Sequence, residues 1–272
     1  MTLRSEIATP EGKRRYVRRL FATIADRYDV ITRLLSYGQD QRWKRRVIDL
    51  ATIGPDDRML DLACGTGDIV ELGAQRARSA VGLDVTLRML QLAAARLSVP
   101  GTRNPEPQEL GTGNAEPETT AHVSLICGDM LALPFPSDSF DVVTIGYGLR
   151  NVPDLLLAVQ EIRRVLAPSG RLVSLDFNRP GNPIVRAVYL FYLNLVGSTL
   201  GWVLHGDPDT YRYIPESIRN YPGACSVARL LEAHGFSDVR VIPVLGGLMA
   251  IHVASNYWKS QNPNPKTEIP KT

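Results

Sequence analysis

Tyr16, Leu20, Ile24, Tyr28 and Ile31 recur every three or four residues, which predicts helix along residues 13–51. Gly38 breaks that run, and Trp43, Val47 and Leu50 mark a second, shorter helix after it. From Pro55 the pattern changes. Residues 58–63 (RMLDLA) form a short apolar run ending in Cys64-Gly-Thr-Gly67, and Ile69, Val70, Leu72 and Ala77 return to helical spacing. A strand at 80–84 and a helix at 87–97 follow, then strands at 122–127 and 140–145. Helix is expected at 154–166 and 223–234, with strands at 170–176, 239–244 and 248–254. Strands alternating with helices predict an α/β fold, a parallel sheet covered by helices on both faces.

Two stretches do not fit the alternation. Residues 98–121 hold four prolines and three glycines with almost no large apolar side chain, so a mobile surface insertion is expected there. Residues 188–204 carry no charge, but Asn194, Gly197, Ser198, Thr199 and Gly201 dilute their hydrophobicity. That length is the lower limit for a membrane span, and a buried or interfacial helix is the preferred reading. Within 177–222 this helix would cap the carboxyl edge of the sheet, where open α/β folds take ligands. The tail at 259–272 is polar and proline-containing, and is expected to be disordered.

Composition narrows the function. Hydrophobic residues are 44% and charged residues 22% of the 272, which suits a globular protein with its own core. The three cysteines are far apart, with no spacing that would suit a zinc site or disulfide framework. The first residues lack the apolar stretch of a secretory signal, so a cytoplasmic setting is expected. The net charge of +3 is too mild to imply a nucleic-acid partner. Between Lys13 and Arg46, however, eleven basic residues face three acidic ones. Such a segment reads either as a basic face for anionic lipid head groups or as an ordinary solvated helix surface.

The sharpest chemical signal is Asp61-Leu-Ala-Cys-Gly65-Thr66-Gly67, a strand running into a glycine turn and a helix. Such a turn lets backbone N–H groups approach a ligand at a helix N-terminus, although a plain tight turn has the same glycines. A dinucleotide fingerprint would need a third glycine at position 70, where Val70 stands, so a dehydrogenase is disfavoured. Asp84 ends the second strand, where a carboxylate can accept from two adjacent ribose hydroxyls or cap the next helix. Asp129 follows the third strand in Gly128-Asp129-Met130, where its short polar side chain is placed to meet an adenine edge. Three successive strand ends of this kind favour a nucleoside ligand.

With Leu133-Pro-Phe135, these motifs are similar to those of class I S-adenosylmethionine-dependent methyltransferases. More narrowly, the chain resembles the C-methyltransferases of menaquinone and ubiquinone biosynthesis. It does so through residues 21–29 (FATIADRYD), Trp43-Lys44, residues 148–151 (GLRN), Tyr211-Arg-Tyr213 and Glu216-Ser-Ile218. The resemblance covers about residues 13–255, apart from the insertion. It implies a mainly parallel seven-stranded Rossmann-like sheet over 52–258, an N-terminal helical segment at 1–51 facing substrate or membrane, and a helical cap. The implied methyl donor is S-adenosyl-L-methionine with no metal, contacted at Thr66, Asp84, Asp129, Met130 and position 146, where Gly146 offers backbone alone. Asp61, Gly65 and Gly67 belong to the same turn. The implied acceptor is a polyprenylated quinol, most simply demethylmenaquinol, with a ubiquinone precursor or another lipid or small molecule as alternatives.

In-line transfer needs the ring carbon held about 3 Å from the methyl group and a ring hydroxyl relieved of its proton. Arg150 is the candidate for steadying the developing oxyanion or positioning a water, and Asn151 for holding the quinol oxygen. His205, Asp207 and Asp209 on the cap are candidate proton acceptors, and a salt bridge locking a loop is the other reading of Arg150. Tyr189, Phe191, Tyr192, Leu195 and Trp202 are expected to line a tail channel. A non-enzymatic nucleoside-binding module would bind the donor without turnover, and the sequence leaves a homodimer open.

Overall fold

The computed structural model describes residues 3–36, 38–98 and 122–256. The expected insertion from residue 99 and the tail at 259–272 lie outside these residues. Four helices open the chain: α1 (Leu3–Glu6), α2 (Pro10–Ile24), α3 (Tyr28–Leu35) and α4 (Asp40–Ala51). Thr9 caps α2 by accepting from the Gly12 N–H, and Pro10 stands in the first turn, where its missing N–H costs nothing. The continuous helix expected up to Gly38 is instead interrupted earlier, by a 3₁₀ turn at Ala25–Arg27. The apolar spacing runs through this turn unchanged because both helices bury the same side: Val17, Leu20, Ile24 and Ile31 share one cluster with Tyr211 and Tyr213.

The alternation follows with β1 (Arg58–Leu62), α5 (Asp68–Ala74), β2 (Ser79–Asp84), α6 (Leu87–Leu97), β3 (His122–Cys127), β4 (Phe140–Gly146), α7 (Leu155–Val165) and β5 (Leu166–Phe177). Then come α8 (Pro183–His205), α9 (Tyr213–Asn220), α10 (Ala224–Ala233), β6 (Ser237–Val244) and β7 (Met249–Ser255). The seven strands form one sheet in the order β3-β2-β1-β4-β5-β7-β6. The β3, β2, β1, β4 and β5 strands run parallel, and β7 pairs antiparallel with both β5 and β6. Met59, Leu60, Leu62, Val142, Val143 and Ile145 are fully buried, so the central strands are apolar on both faces as parallel strands must be.

Two further differences from the sequence reading bear on the site. The cap contains a second helix, α9, whose eight residues include Pro215 and no long apolar period. Strand β5 starts at Leu166, four residues before the expected 170, because Leu166 pairs with Phe140 across an irregularity in the ladder. The order in which strands are added reverses between β1 and β4, since the chain steps outward from β1 to β2 and β3 and then returns to β4 on the other side of β1. Ligands of open α/β sheets sit at that seam.

Candidate functional site

Strand ends build the first wall. Beyond β1 the backbone turns through Ala63 at φ 52°, Gly65 at 54° and Gly67 at 91°. Beyond β4, Tyr147 adopts φ 60°, a left-handed conformation that costs an aromatic residue energy and therefore needs a packed surround. Gly148 beside it has no room for a side chain, as a Cβ would lie 2.8 Å from both the Ala63 Cβ and the Ile145 Cγ2. Asp84 at the end of β2 accepts from the Gly65 N–H at 3.0 Å through Oδ2 and from the Thr86 N–H at 2.8 Å through Oδ1. Both oxygens are thereby fixed at a cleft with acceptor capacity to spare. Burial pushes the Asp84 carboxyl upward, and those N–H groups oppose the shift.

The cleft has about 740 Å³ of open space, reaching out to solvent. Gly65, Asp84, Asp129, Met130, Gly146 and Asn151 line it from the sheet side, and Arg14, Val17 and Phe21 of α2 from above. Arg14 pairs with Asp129 at 3.2 Å across the opening. Asn151 donates to the Tyr147 carbonyl at 2.9 Å, which leaves its Oδ1 buried without a partner.

A second cavity of about 620 Å³ lies beside the first. Phe21, Tyr28 and Tyr147 border both, so these rings form the partition. The second is lined mainly by aromatic and aliphatic side chains, among them Trp43, Phe177, Tyr211, Tyr213, Ile214 and Met249, with Arg150 the one charged residue among the described residues. The Arg150 guanidinium pairs with Asp176 at 2.5 Å, donates to the Tyr147 carbonyl at 3.0 Å and lies 4.7 Å from the Phe177 ring centre. Its Nε and the Tyr213 hydroxyl are both buried without partners. Burial acts to lower the Arg150 pKa, yet Asp176 carries it above the ordinary value, so this group stays a cation. Burial also raises the Tyr213 and Tyr28 hydroxyls, and pushes Tyr211 to about 12, so all three remain protonated at neutral pH.

Helix α2 is fastened over both cavities by Lys13, whose ammonium donates to the carbonyls of Arg150 at 3.0 Å and Val152 at 2.7 Å. Burial, then the nearby Arg150 charge, lower Lys13 to about 8. On the far side, Asp68 at the start of α5 binds Lys44, Arg96 and Gln41, and Lys44 also binds Asp40 at 3.0 Å. Burial acts to raise Asp68, but Lys44 and Arg96 outweigh it and hold the carboxyl below the ordinary range. The cluster ties α4, α5 and α6 together behind the glycine turn.

The predicted residues separate into groups. Gly65, Asp84, Asp129, Met130 and Gly146 do share one cleft. Asp61, Thr66 and Gly67 are not in its wall. Asp61 stands mid-strand opposite Gly82 and Thr144 and accepts from the Thr144 hydroxyl at 2.7 Å; burial pushes its carboxyl up to about 7. Thr66 donates to Asp29 at 2.8 Å and so anchors α3 to the turn, while Gly67 is the N-cap residue just before α5. Arg150 and Asn151, adjacent in sequence, face different cavities. His205 borders neither cavity and reaches the second only through Tyr211, whose hydroxyl is 2.8 Å from its Nε2. Asp207 and Asp209 are exposed on the loop beyond.

The cap aromatics require a correction. Phe191, Leu195 and Trp202 point outward, 58–69% exposed, and Tyr211, Tyr213 and Ile214 form the cavity wall in their place. The basic N-terminal segment also shrinks as a surface, because Lys13 and Lys44 turn inward and Arg14 and Arg19 pair with Asp129 and Glu6. Of the partition residues, Phe21 and Tyr28 lie within the matching motif at 21–29, whereas Tyr147 carried no sequence signal beyond its place beside residues 148–151.

Known proteins resemble this chain in sequence and in fold. The chain is 40% identical over 236 residues to a demethylmenaquinone methyltransferase of Thermus thermophilus, covering 86% of this chain and 98% of that one. A demethylmenaquinone methyltransferase of Mycobacterium sp. (strain KMS) is 36% identical over 248 residues, 91% of this chain and 96% of the relative. The fold resembles the crystal structure of a SAM-dependent methyltransferase from Aquifex aeolicus, with TM-score 0.56 and 16% identity over 86% of this chain and 97% of that one. Residues 9–256 match the ubiE/COQ5 methyltransferase family, and the chain belongs to it.

Proposed function

We propose that this protein transfers a methyl group from S-adenosyl-L-methionine to a ring carbon of a reduced, polyprenylated naphthoquinone, converting a demethylmenaquinol to menaquinol. The observation that carries the reading is the pairing of cavities across Phe21, Tyr28 and Tyr147, one with fixed carboxylate acceptors, the other aromatic-lined with a single guanidinium. The naming of the Thermus and Mycobacterium relatives supports the naphthoquinol over a benzoquinol. We read the enzyme as cytoplasmic, acting on a substrate whose tail stays in lipid.

The residues of the first cleft fit an adenosyl donor. The Asp84 oxygens, already held by backbone N–H groups, take the ribose hydroxyls, and Asp129 with Met130 borders the base. The unpartnered Asn151 Oδ1 is an acceptor for the donor's ammonium group. When bound, the donor supplies an electrophilic methyl group on a cationic sulfur.

In the second cavity the ring lies between aromatic faces, and a ring oxygen satisfies the Arg150 Nε and the Tyr213 hydroxyl together. Arg150 stays protonated, so it stabilises negative charge on that oxygen and takes no proton itself; such a donor contributes about 10²–10³ in rate. The hydroxyl proton leaves through Tyr211 to His205. The ring carbon would then form its bond to the methyl carbon as the sulfur–carbon bond breaks, and transfer of the ring C–H proton back to the ring oxygen would restore the aromatic hydroquinol, the one net proton released remaining on His205. Opposite charges neutralise in a dry cavity, which favours the step.

The test is methyl transfer from labelled donor to reduced demethylmenaquinone, run beside a reduced ubiquinone precursor. Label on the naphthoquinol ring is the expected product. Label on the benzoquinol alone, or on neither, overturns the assignment.

A further inference from the structure

Helix α8 carries more apolar surface than its packing uses. Ile184, Val188, Phe191, Leu195 and Trp202 are spaced by four, three, four and seven residues, which places them on one face. Their exposures are 73, 63, 69, 58 and 68%, and the stripe runs about 27 Å along the helix at 1.5 Å per residue. On the opposite face Tyr189, Leu190 and Leu193 pack with Ile218 of α9. The helix is therefore apolar all round but covered on one side only, and by length and composition alone it reaches the threshold for crossing a membrane, with mean hydropathy 1.5. Its packed face commits it to lying flat on the protein instead. Helix α3, which shares a cluster with Leu200 and Leu204 of α8, adds the exposed Val30 and Leu34.

The choice of occupant follows from charge and sequence. Segments 99–121 and 257–272 of this chain hold only Val99, Leu110, Tyr257, Trp258 and Ile269 as large apolar residues, too few and too scattered to mirror the stripe. From Arg179 to His205 there is no acidic residue, and Arg179 and Arg186 stand at the N-terminal end. At the other end Arg27 is near enough to lower both His205 and Tyr211, and Arg33 is exposed on α3. Asp209 there is paired with Arg212, and Asp207 accepts from the Asp209 N–H. A second copy of the chain would bring arginines against arginines, whereas anionic head groups answer them. Exposed Trp202 suits the water–lipid boundary, where an indole keeps its N–H wet.

We propose that α8 lies in the head-group layer of an anionic lipid bilayer, its stripe among the acyl chains and the flanking arginines on lipid phosphates. The second cavity, walled by Tyr211, Tyr213 and Ile214 just beyond α8, then lies against the membrane that holds the substrate's tail. The choice of a bilayer rests in part on the prenylated-substrate reading; the docking test uses no turnover and so fails separately from it.

The full chain is mixed with phosphatidylglycerol–phosphatidylcholine vesicles and floated. The wild type is expected to rise with the vesicles, with a blue shift in emission that the Trp202→Phe variant lacks. The double change Phe191→Asp and Leu195→Asp is expected to reduce the bound fraction at least about tenfold, as two charges entering the interface would. Arg27→Gln and Arg186→Gln are expected to weaken binding about fivefold each. S-adenosylhomocysteine binding and methylation of a short-tailed, lipid-free naphthoquinol by the double variant should equal wild type, which shows that the fold and the first reading stand. A wild type that stays with the aqueous phase, or a double variant that floats equally well, overturns the proposal. A wild-type dimer that the double variant splits, with no vesicle binding, assigns the stripe to a second copy and overturns it too.

Discussion

The two cavities share a partition but differ in origin. The first is made of strand ends and a glycine turn, whose position the sheet dictates: Gly65, Asp84, Asp129 and Gly146 lie within a few residues of the ends of β1, β2, β3 and β4. The second is made of side chains from α2, α3, α4, the loop beyond β4, the end of β5, the loop after α8, the start of α9 and the start of β7. Its walls span more than 200 residues of sequence, from Leu20 to Met249. On the proposed reading, the comparison teaches that the sheet fixes the donor's place while helices outside it set the acceptor's. Donor binding and acceptor chemistry are then separable by mutation.

The largest effect is expected at Arg150. The variant Arg150→Lys keeps the charge near Asp176 but loses the flat fork that also reaches Tyr147, and kcat should fall about 10²–10³-fold. Calorimetry should find S-adenosylhomocysteine binding within about twofold of wild type. Parallel loss of both would merge the two regions into one.

Next comes Asp68, which supports the donor side from behind. Removing its charge in Asp68→Asn leaves Lys44 and Arg96 underpaired, at a cost of about 3 kcal/mol in denaturant unfolding at pH 7. Its carboxyl is held below the unfolded value, so its contribution is present above about pH 4 and is lost as pH falls through the depressed native value. The gap between variant and wild type should therefore close in acid. A gap independent of pH would contradict the network.

Smaller again is Asp84→Asn, predicted to weaken donor binding about 10–100-fold, as loss of charge-assisted hydrogen bonds does, while leaving the acceptor's affinity unchanged. His205 sharpens the comparison through pH. Burial and the Arg27 charge hold it below 6.5, so it is neutral and able to accept at pH 7. Turnover should be level near neutrality and fall as acid protonates His205, and His205→Gln should be several-fold slower without that limb. Unaltered pH dependence in the variant would remove His205 from the proton path.

How far the sequence could be read follows the same division. All seven strands were visible as apolar runs, and Gly65, Asp84 and Asp129 could be placed because short turns fix them at strand ends. Asp61 and Thr66 were legible as part of the motif but not in their direction; one is turned to Thr144 and the other to Asp29, partners 83 and 37 residues away. Helix α9 gave no periodic signal, since Pro215, Glu216 and Ser217 are buried in it beside Tyr213 and Ile218. Arg150 and Asn151 show the limit most plainly. A 3₁₀ turn at Leu149–Asn151 sends neighbouring side chains into different cavities, and only tertiary packing decides which.

The most direct test of two chambers meeting at one methyl group is a ternary crystal structure with S-adenosylhomocysteine and the demethylnaphthoquinol. The account predicts the thioether beside Gly65 and Asp84, the ring beside Tyr213, and sulfur within about 5 Å of the ring carbon, the sum of a sulfur–methyl bond and a near-attack distance. A ring oxygen should lie about 3 Å from the Arg150 guanidinium. Both molecules crowded into the first cleft, or a ring bound elsewhere with Arg150 still turned to an empty cavity, would contradict it.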